Sequence, residues 1–220
     1  MFPFSDAVFH WYDLGATFLW AISGAMLAAR RGYDIMGVFI IAMVSSTGGG
    51  LIRDGLFLPG SAAPKLIQTP DYLMIVTVVT AMIWLFGRAL RRLAWLPPAL
   101  TLADALGIGA YGVVGMHLAV AAGIPMIGAI LIGVVNAVGG GALRDLLMNQ
   151  KLELLQPSVL MGLASLIGCL LFAVLLEFGA PGAWAGAAAA VTAFAVRLLA
   201  VRFNLRSRPL AAFEEDWRQP

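Results

Sequence analysis

Residues 45–54 read SSTGGGLIRD and residues 136–145 read NAVGGGALRD. The two stretches lie 91 residues apart, and the same register holds well outside them without a gap. It pairs Asp13 with Asp104, Gly24 with Gly115, Leu27-Ala28 with Leu118-Ala119, Gly32 with Gly123, Gly37 with Gly128, and Arg53-Asp54 with Arg144-Asp145. A repeat of this kind decides an architecture before any local propensity does.

What each unit is made of follows from its apolarity. Of the 220 residues 61% are hydrophobic and 12% charged, against about a quarter charged in soluble domains. The mean hydropathy is +0.91. Hydrocarbon about 30 Å thick takes roughly 20 helical residues to cross. The apolar runs predict seven spans near 7–29, 34–57, 71–90, 97–121, 125–148, 157–178 and 181–201. They are too long and too uniformly apolar for barrel strands, so the fold class is an all-α membrane protein. Each unit holds three spans, an odd number, so the two units face opposite ways in the membrane. The expected division is residues 1–92 for the first repeat, 93–178 for the inverted second, 179–202 for a seventh span and 203–220 for a tail. Inverted repeats with interrupted helices characterise transport proteins whose path lies between the repeats.

The basic residues set an expected orientation. Arg30, Arg31, Arg88, Arg91, Arg92, Lys151, Arg202, Arg206 and Arg208 fall on one side, and the loops of the other side offer chiefly Lys65. The positive-inside rule then puts the C-terminus in the cytoplasm and the N-terminus outside, in a plasma membrane of bacterial inner-membrane type. The N-terminal stretch lacks a basic n-region, so the first apolar run reads as a retained span. Anionic lipid is an expected partner of the basic side.

The glycines and charges carry the functional expectation. At ~1.5 Å per residue, Gly48 to Gly50 and Gly139 to Gly141 lie near mid-membrane, approached from opposite sides. Three adjacent glycines lower helix propensity by about 1 kcal/mol each. Breaks there would free carbonyls for cations and N–H groups for anions; close helix packing is the competing reason for glycine. Ser45, Ser46, Thr47 and Asn136 are candidate polar ligands beside the breaks, unless the hydroxyls bond back to helical carbonyls. Charges within the membrane are costly and mark functional sites by default. Asp13, Arg53, Asp54, Asp104, Arg144 and Asp145 are such charges. Sequence neighbours on a helix point about 100° apart, which disfavours Arg53–Asp54 as a pair. Depth suggests Asp13–Arg53 and Asp104–Arg144, one pair toward each mouth. Four aspartates against two arginines lean the path toward cations.

Other classes find little support. His10 and His117 lack metalloprotease spacing, no nucleophile–base grouping appears, and GGGxxR is not a dinucleotide fingerprint. No catalytic residue, metal site or cofactor is expected. His117 reads as a packed or water-contacting side chain of the fourth span, with pH sensing as the alternative. Cys169, the single cysteine, forms no intrachain disulfide and reads as packing. The basic residues are juxtamembrane, so nucleic acid is not an expected partner.

Two copies of GGGxxRD, Gly48–Asp54 and Gly139–Asp145, in three plus three plus one spans resemble the prokaryotic trimeric intracellular cation channel family, a sequence group also known under the name of bacterial glycine transporters. The resemblance runs through Arg202. It implies a homotrimer with one pore per protomer, lined by the first, second, fourth and fifth spans and kinked at the glycines. It implies passive passage of monovalent cations, chiefly potassium. Passage of a small zwitterion such as glycine by alternating gates is the competing expectation, since freed N–H groups suit a carboxylate and Asp suits an ammonium.

Overall fold

The computed structural model describes residues 6–58, 63–90, 96–155 and 160–206. Arg91, Arg92, Arg208 and nearly all of the expected tail lie outside them. The described residues form α1 (Asp6–Arg30), α2 (Ile35–Ile52) running into a π-helical turn (Arg53–Phe57), a short α3 (Lys65–Gln68), α4 (Pro70–Leu90), α5 (Leu96–Ala121), α6 (Met126–Leu147), a 3₁₀ turn (Glu153–Leu155), α7 (Met161–Glu177) and α8 (Gly182–Arg202). Six of these helices are long and apolar enough to cross a membrane, and α7 is a shorter apolar helix. Together they are the seven expected spans; α3 lies between the second and third.

The repeat is legible in where the elements begin and end. α1 ends at Arg30 and α5 at Ala121; α2 begins at Ile35 and α6 at Met126; α4 begins at Pro70 and α7 at Met161. Each pair keeps the 91-residue register. The turn after the first helix of each unit is the same. Gly32 and Gly123 take φ of +77° and +79°. Tyr33 N–H then reaches the Ala28 carbonyl at 3.2 Å, and Ile124 N–H reaches that of Ala119 at 3.0 Å. Only glycine adopts this left-handed conformation without strain, so it ends both helices.

Packing places the two units back to back. α2 lies against α1, α4 and α6, while α5 lies against α1, α6, α7 and α8. One apolar cluster joins Ala21, Ala25, Ile41, Ala42, Val76 and Val79 within the first unit. A second joins Met116, Ile132, Phe172 and Ala189 of the second unit and α8. Between them Ala16, Trp20, Ile108, Tyr111 and Ala137 form a cluster drawn from both units. The interface between repeats is therefore built on α1, α2, α5 and α6.

Candidate functional site

The glycine triplets sit where α2 crosses α6, and both helices run unbroken through them. The expected backbone break is therefore corrected: Gly48, Gly49, Gly50, Gly139, Gly140 and Gly141 are helical. Their physical role is close approach. A Cβ on Gly49 would stand 2.0 Å from the Asn136 carbonyl oxygen, and one on Gly140 would stand 2.3 Å from that of Ser45. Built on Gly48 and Gly139, a Cβ would meet the Cα of Gly140 and of Gly49, each at 3.1 Å. Each of these contacts has its mirror in the other unit, as a local two-fold axis requires. The helical propensity lost at six glycines is offset by backbones touching directly, the small-residue mode of membrane helix packing.

On the first unit's side of this crossing lies a polar cleft. Asp13, Thr17, Ser46, Thr47, Gly50, Arg53, Asp54, Lys65, Tyr72 and Tyr111 line it. Its central free space is about 20 Å³, room for one water and nothing much larger. Asp13 and Lys65 also line a wider vestibule with Phe9, His10 and His117. His117 stacks on Phe9 at 3.9 Å between ring centroids. At the rim His10 Nε2 stands 3.7 Å from Asp71.

The charges are paired differently from the expectation. Arg53, 2% exposed, donates from Nε to Asp54 Oδ1 at 2.6 Å and from Nη1 to Asn136 Oδ1 at 3.2 Å. The second oxygen of Asp54 accepts the Lys65 backbone N–H at 3.1 Å. Asp13 instead accepts the Tyr72 hydroxyl at 2.6 Å. Arg144 donates from Nε and Nη2 to Asp145 at 3.0 and 2.8 Å, and Asp104 accepts from Arg197 Nη2 of α8 at 3.2 Å. The expected pairs Asp13–Arg53 and Asp104–Arg144 are thus corrected to Arg53–Asp54 and Arg144–Asp145. The cause is side-chain length. Adjacent Cβ atoms do diverge, yet a guanidinium on three methylenes folds back onto the neighbouring carboxylate, and bringing both charges together limits the cost of burial.

The polar candidates divide. Ser46 Oγ donates to the Ala42 carbonyl at 2.8 Å and Thr47 Oγ1 to that of Met43 at 2.7 Å, the back-bonding alternative. Asn136 is a cross-helix hub: besides accepting from Arg53, its Nδ2 donates to the Tyr111 carbonyl at 2.7 Å. Ser45 lines a second, dry void with Trp20, Ser46, Gly49, Gly50, Tyr111, Asn136 and Gly140. Sequence reasoning missed Thr17, Trp20, Tyr72, Tyr111 and Arg197. A signal existed for three of them: Trp20 and Tyr111 share a register position, and Arg197 is a charge well inside the seventh span.

Fold and site together define a polytopic membrane protein built of inverted repeats, with a buried polar cleft in the first that Tyr111 of the second completes. Residues 10–88 and 101–177 match the sequence model of the family described as "Glycine transporter", and the chain belongs to that family. It is 30% identical over 211 residues to the UPF0126 inner membrane protein YadS of Escherichia coli, across 95% of this chain and 99% of that one. A UPF0126 membrane protein of Deinococcus radiodurans is 33% identical over 146 residues, 66% of each chain. Among solved structures, the TRIC trimeric intracellular cation channel orthologue from Rhodobacter sphaeroides superposes with a TM-score of 0.81 at 29% identity, across 90% of this chain and 99% of that one.

Proposed function

We propose that the protein is a non-enzymatic channel for monovalent cations, with a path through each protomer between α1, α2, α5 and α6. The observation that carries this reading is Asp13. It is a 5% exposed carboxylate that lines both the cleft and its vestibule and receives a tyrosine hydroxyl where an arginine was expected. With Arg53 matched to Asp54, Asp13 supplies negative potential where a cation entering from the vestibule is stripped of water. The likeness to a cation channel of the same fold supports the assignment.

Potassium is the preferred ion in this reading. The glycines serve the path by holding α2 and α6 in contact, so that Asn136 reaches both Arg53 and Tyr111. Assembly is a homotrimer, supported by the trimeric solved relative. The N-terminus faces outward and the C-terminus the cytoplasm. The Arg31 side chain supports the shared face of two basic loops, since its Nη1 caps the Met148 carbonyl at 3.1 Å. Membrane lipid contacts that basic face.

The family description favours a second reading, a carrier of glycine. Purified protein in a planar bilayer separates the two. Discrete current steps in KCl that fall when Asp13→Asn is introduced support the channel; saturable glycine counterflow without conductance overturns it.

A further inference from the structure

Two aromatic side chains stand together beside the polar cleft, Tyr111 in its lining and Trp20 packed against Tyr111. Trp20 and Tyr111 hold the same position in the two repeats, 91 residues apart. Their rings meet at the two-fold axis, edge to face, with centroids 6.3 Å apart. Tyr111 lines the polar cleft from the second unit. Its hydroxyl donates to the Ser46 carbonyl, so Thr17 Oγ1, 2.9 Å away, must donate to it.

Beyond Tyr111 lies the dry void that shares Ser46, Gly50 and Tyr111 with the cleft and adds Trp20 and Ser45. Trp20 is 1% exposed. It lies on a seat of two glycines: a Cβ on Gly107 would come 1.8 Å from its Nε1, and one on Gly141 would come 3.1 Å from its six-membered ring. Those glycines stand one helical turn from Asp104 and Arg144 respectively. Trp20 therefore packs between the void and the helical turns that carry Asp104 and Arg144.

Two polar atoms on residues that line this void are left over, Trp20 Nε1 packed against Gly107 and Ser45 Oγ against Gly24. Among the described residues Trp20 Nε1 and Ser45 Oγ are buried without a hydrogen-bond partner. Burying a donor or hydroxyl unpaired is unfavourable, so a conformation that lets water into the void recovers part of that cost. A purely structural plug would be expected to satisfy these atoms or replace them with hydrocarbon.

We propose that Trp20 and Tyr111 are the shut gate of the path, a pair of symmetry-related aromatics whose separation hydrates the void at Ser45 and joins the cleft to the Asp104–Arg144 side. Tyr111 latches the pair through its hydroxyl, and Trp20 supplies the bulk. The gate deepens the channel reading and rests on it for what passes.

The test uses the full chain in liposomes with two readouts, potassium flux and the reaction of Ser45→Cys with a small cationic methanethiosulfonate in a Cys169→Ala background. With both aromatics present, Ser45→Cys is shielded. Trp20→Ala is expected to speed its labelling and the flux by at least about tenfold. Tyr111→Phe keeps the ring but loses two buried hydrogen bonds, and is expected to raise both by several-fold. Trp84→Ala, on a side chain 68% exposed on the outer face of α4, leaves both at the wild-type level. Unchanged labelling and flux in both gate variants overturn the proposal. If Trp20→Ala fails to assemble, Tyr111→Phe decides alone. Faster labelling with no potassium flux in any variant keeps the gate and overturns the channel; potassium flux with unaltered labelling and rate does the reverse.

Discussion

The two repeats share a backbone plan and differ in what closes them. In the first, Asp13 meets a tyrosine of its own unit, Tyr72, and a water-sized cleft opens beside it. In the second, Asp104 meets Arg197 from α8, a helix with no counterpart in the repeat. The position matching Tyr72 is Leu163, which has no hydroxyl to offer. One carboxylate is left beside a neutral donor and the other is neutralised by a cation. One backbone plan is thus closed by a tyrosine of its own unit in the first repeat and by a helix from outside the repeat in the second.

The largest break in that comparison is expected at the arginines. Arg53→Met leaves Asp54 buried without its cation and Asn136 without a donor, and should cost about 3–5 kcal/mol of stability. Arg144→Met takes the cation from Asp145 but removes no donor from an amide, so it should unfold at a higher temperature than Arg53→Met. Equal melting points in detergent would mean that the Arg53–Asn136 bond adds nothing to stability.

The glycine crossing should, by contrast, respond alike in both units. Gly49→Ala and Gly140→Ala each push a methyl into a backbone carbonyl, at an expected cost of about 1–3 kcal/mol. Gly50→Ala meets nothing nearer than the Arg53 guanidinium at 3.6 Å and should be nearly neutral. Thermal unfolding of the three variants tests the two-fold symmetry directly.

Single hydrogen bonds sharpen the asymmetry. Tyr72→Phe removes the hydroxyl on Asp13 and should cost about 1.5–3 kcal/mol, the range for a hydrogen bond to a charged group; Leu163→Phe has no such bond to lose. Smallest is the helix cap. Asp34 Oδ1 accepts the Gly37 N–H at 2.8 Å at the start of α2, whereas α6 starts behind Pro125 with no side-chain cap. Asp34→Ala should cost about 1 kcal/mol, and Pro125→Ala less. Chemical denaturation in mixed micelles orders them.

Much of this was legible because the repeat is written in residues that have few alternatives. Gly32 and Gly123 end helices, the glycine triplets mark a crossing, and hydropathy gives the spans. Ion-pair partners were not legible, because depth along a helix places a Cβ and says little about where a guanidinium at the far end of a flexible side chain arrives. The continuity of α2 and α6 through three glycines was misjudged for a related reason. Propensity measured in water undervalues a helix whose neighbour touches its backbone. Arg197 escaped because a reading built on symmetry has no place for a partner outside it.

The glycine crossing also sets how the molecule can move. With backbone against backbone at Gly49 and Gly140, no layer of side chains is available to absorb a displacement between the axes. The carbonyls of Asn136 and Ser45 stand where a side chain at Gly49 or Gly140 would, which leaves little clearance between the two backbones. Mechanically, α2 and α6 are two arms crossing at a bearing well toward the C-terminal end of each. Spreading the arms at one face of the membrane swings them at the other.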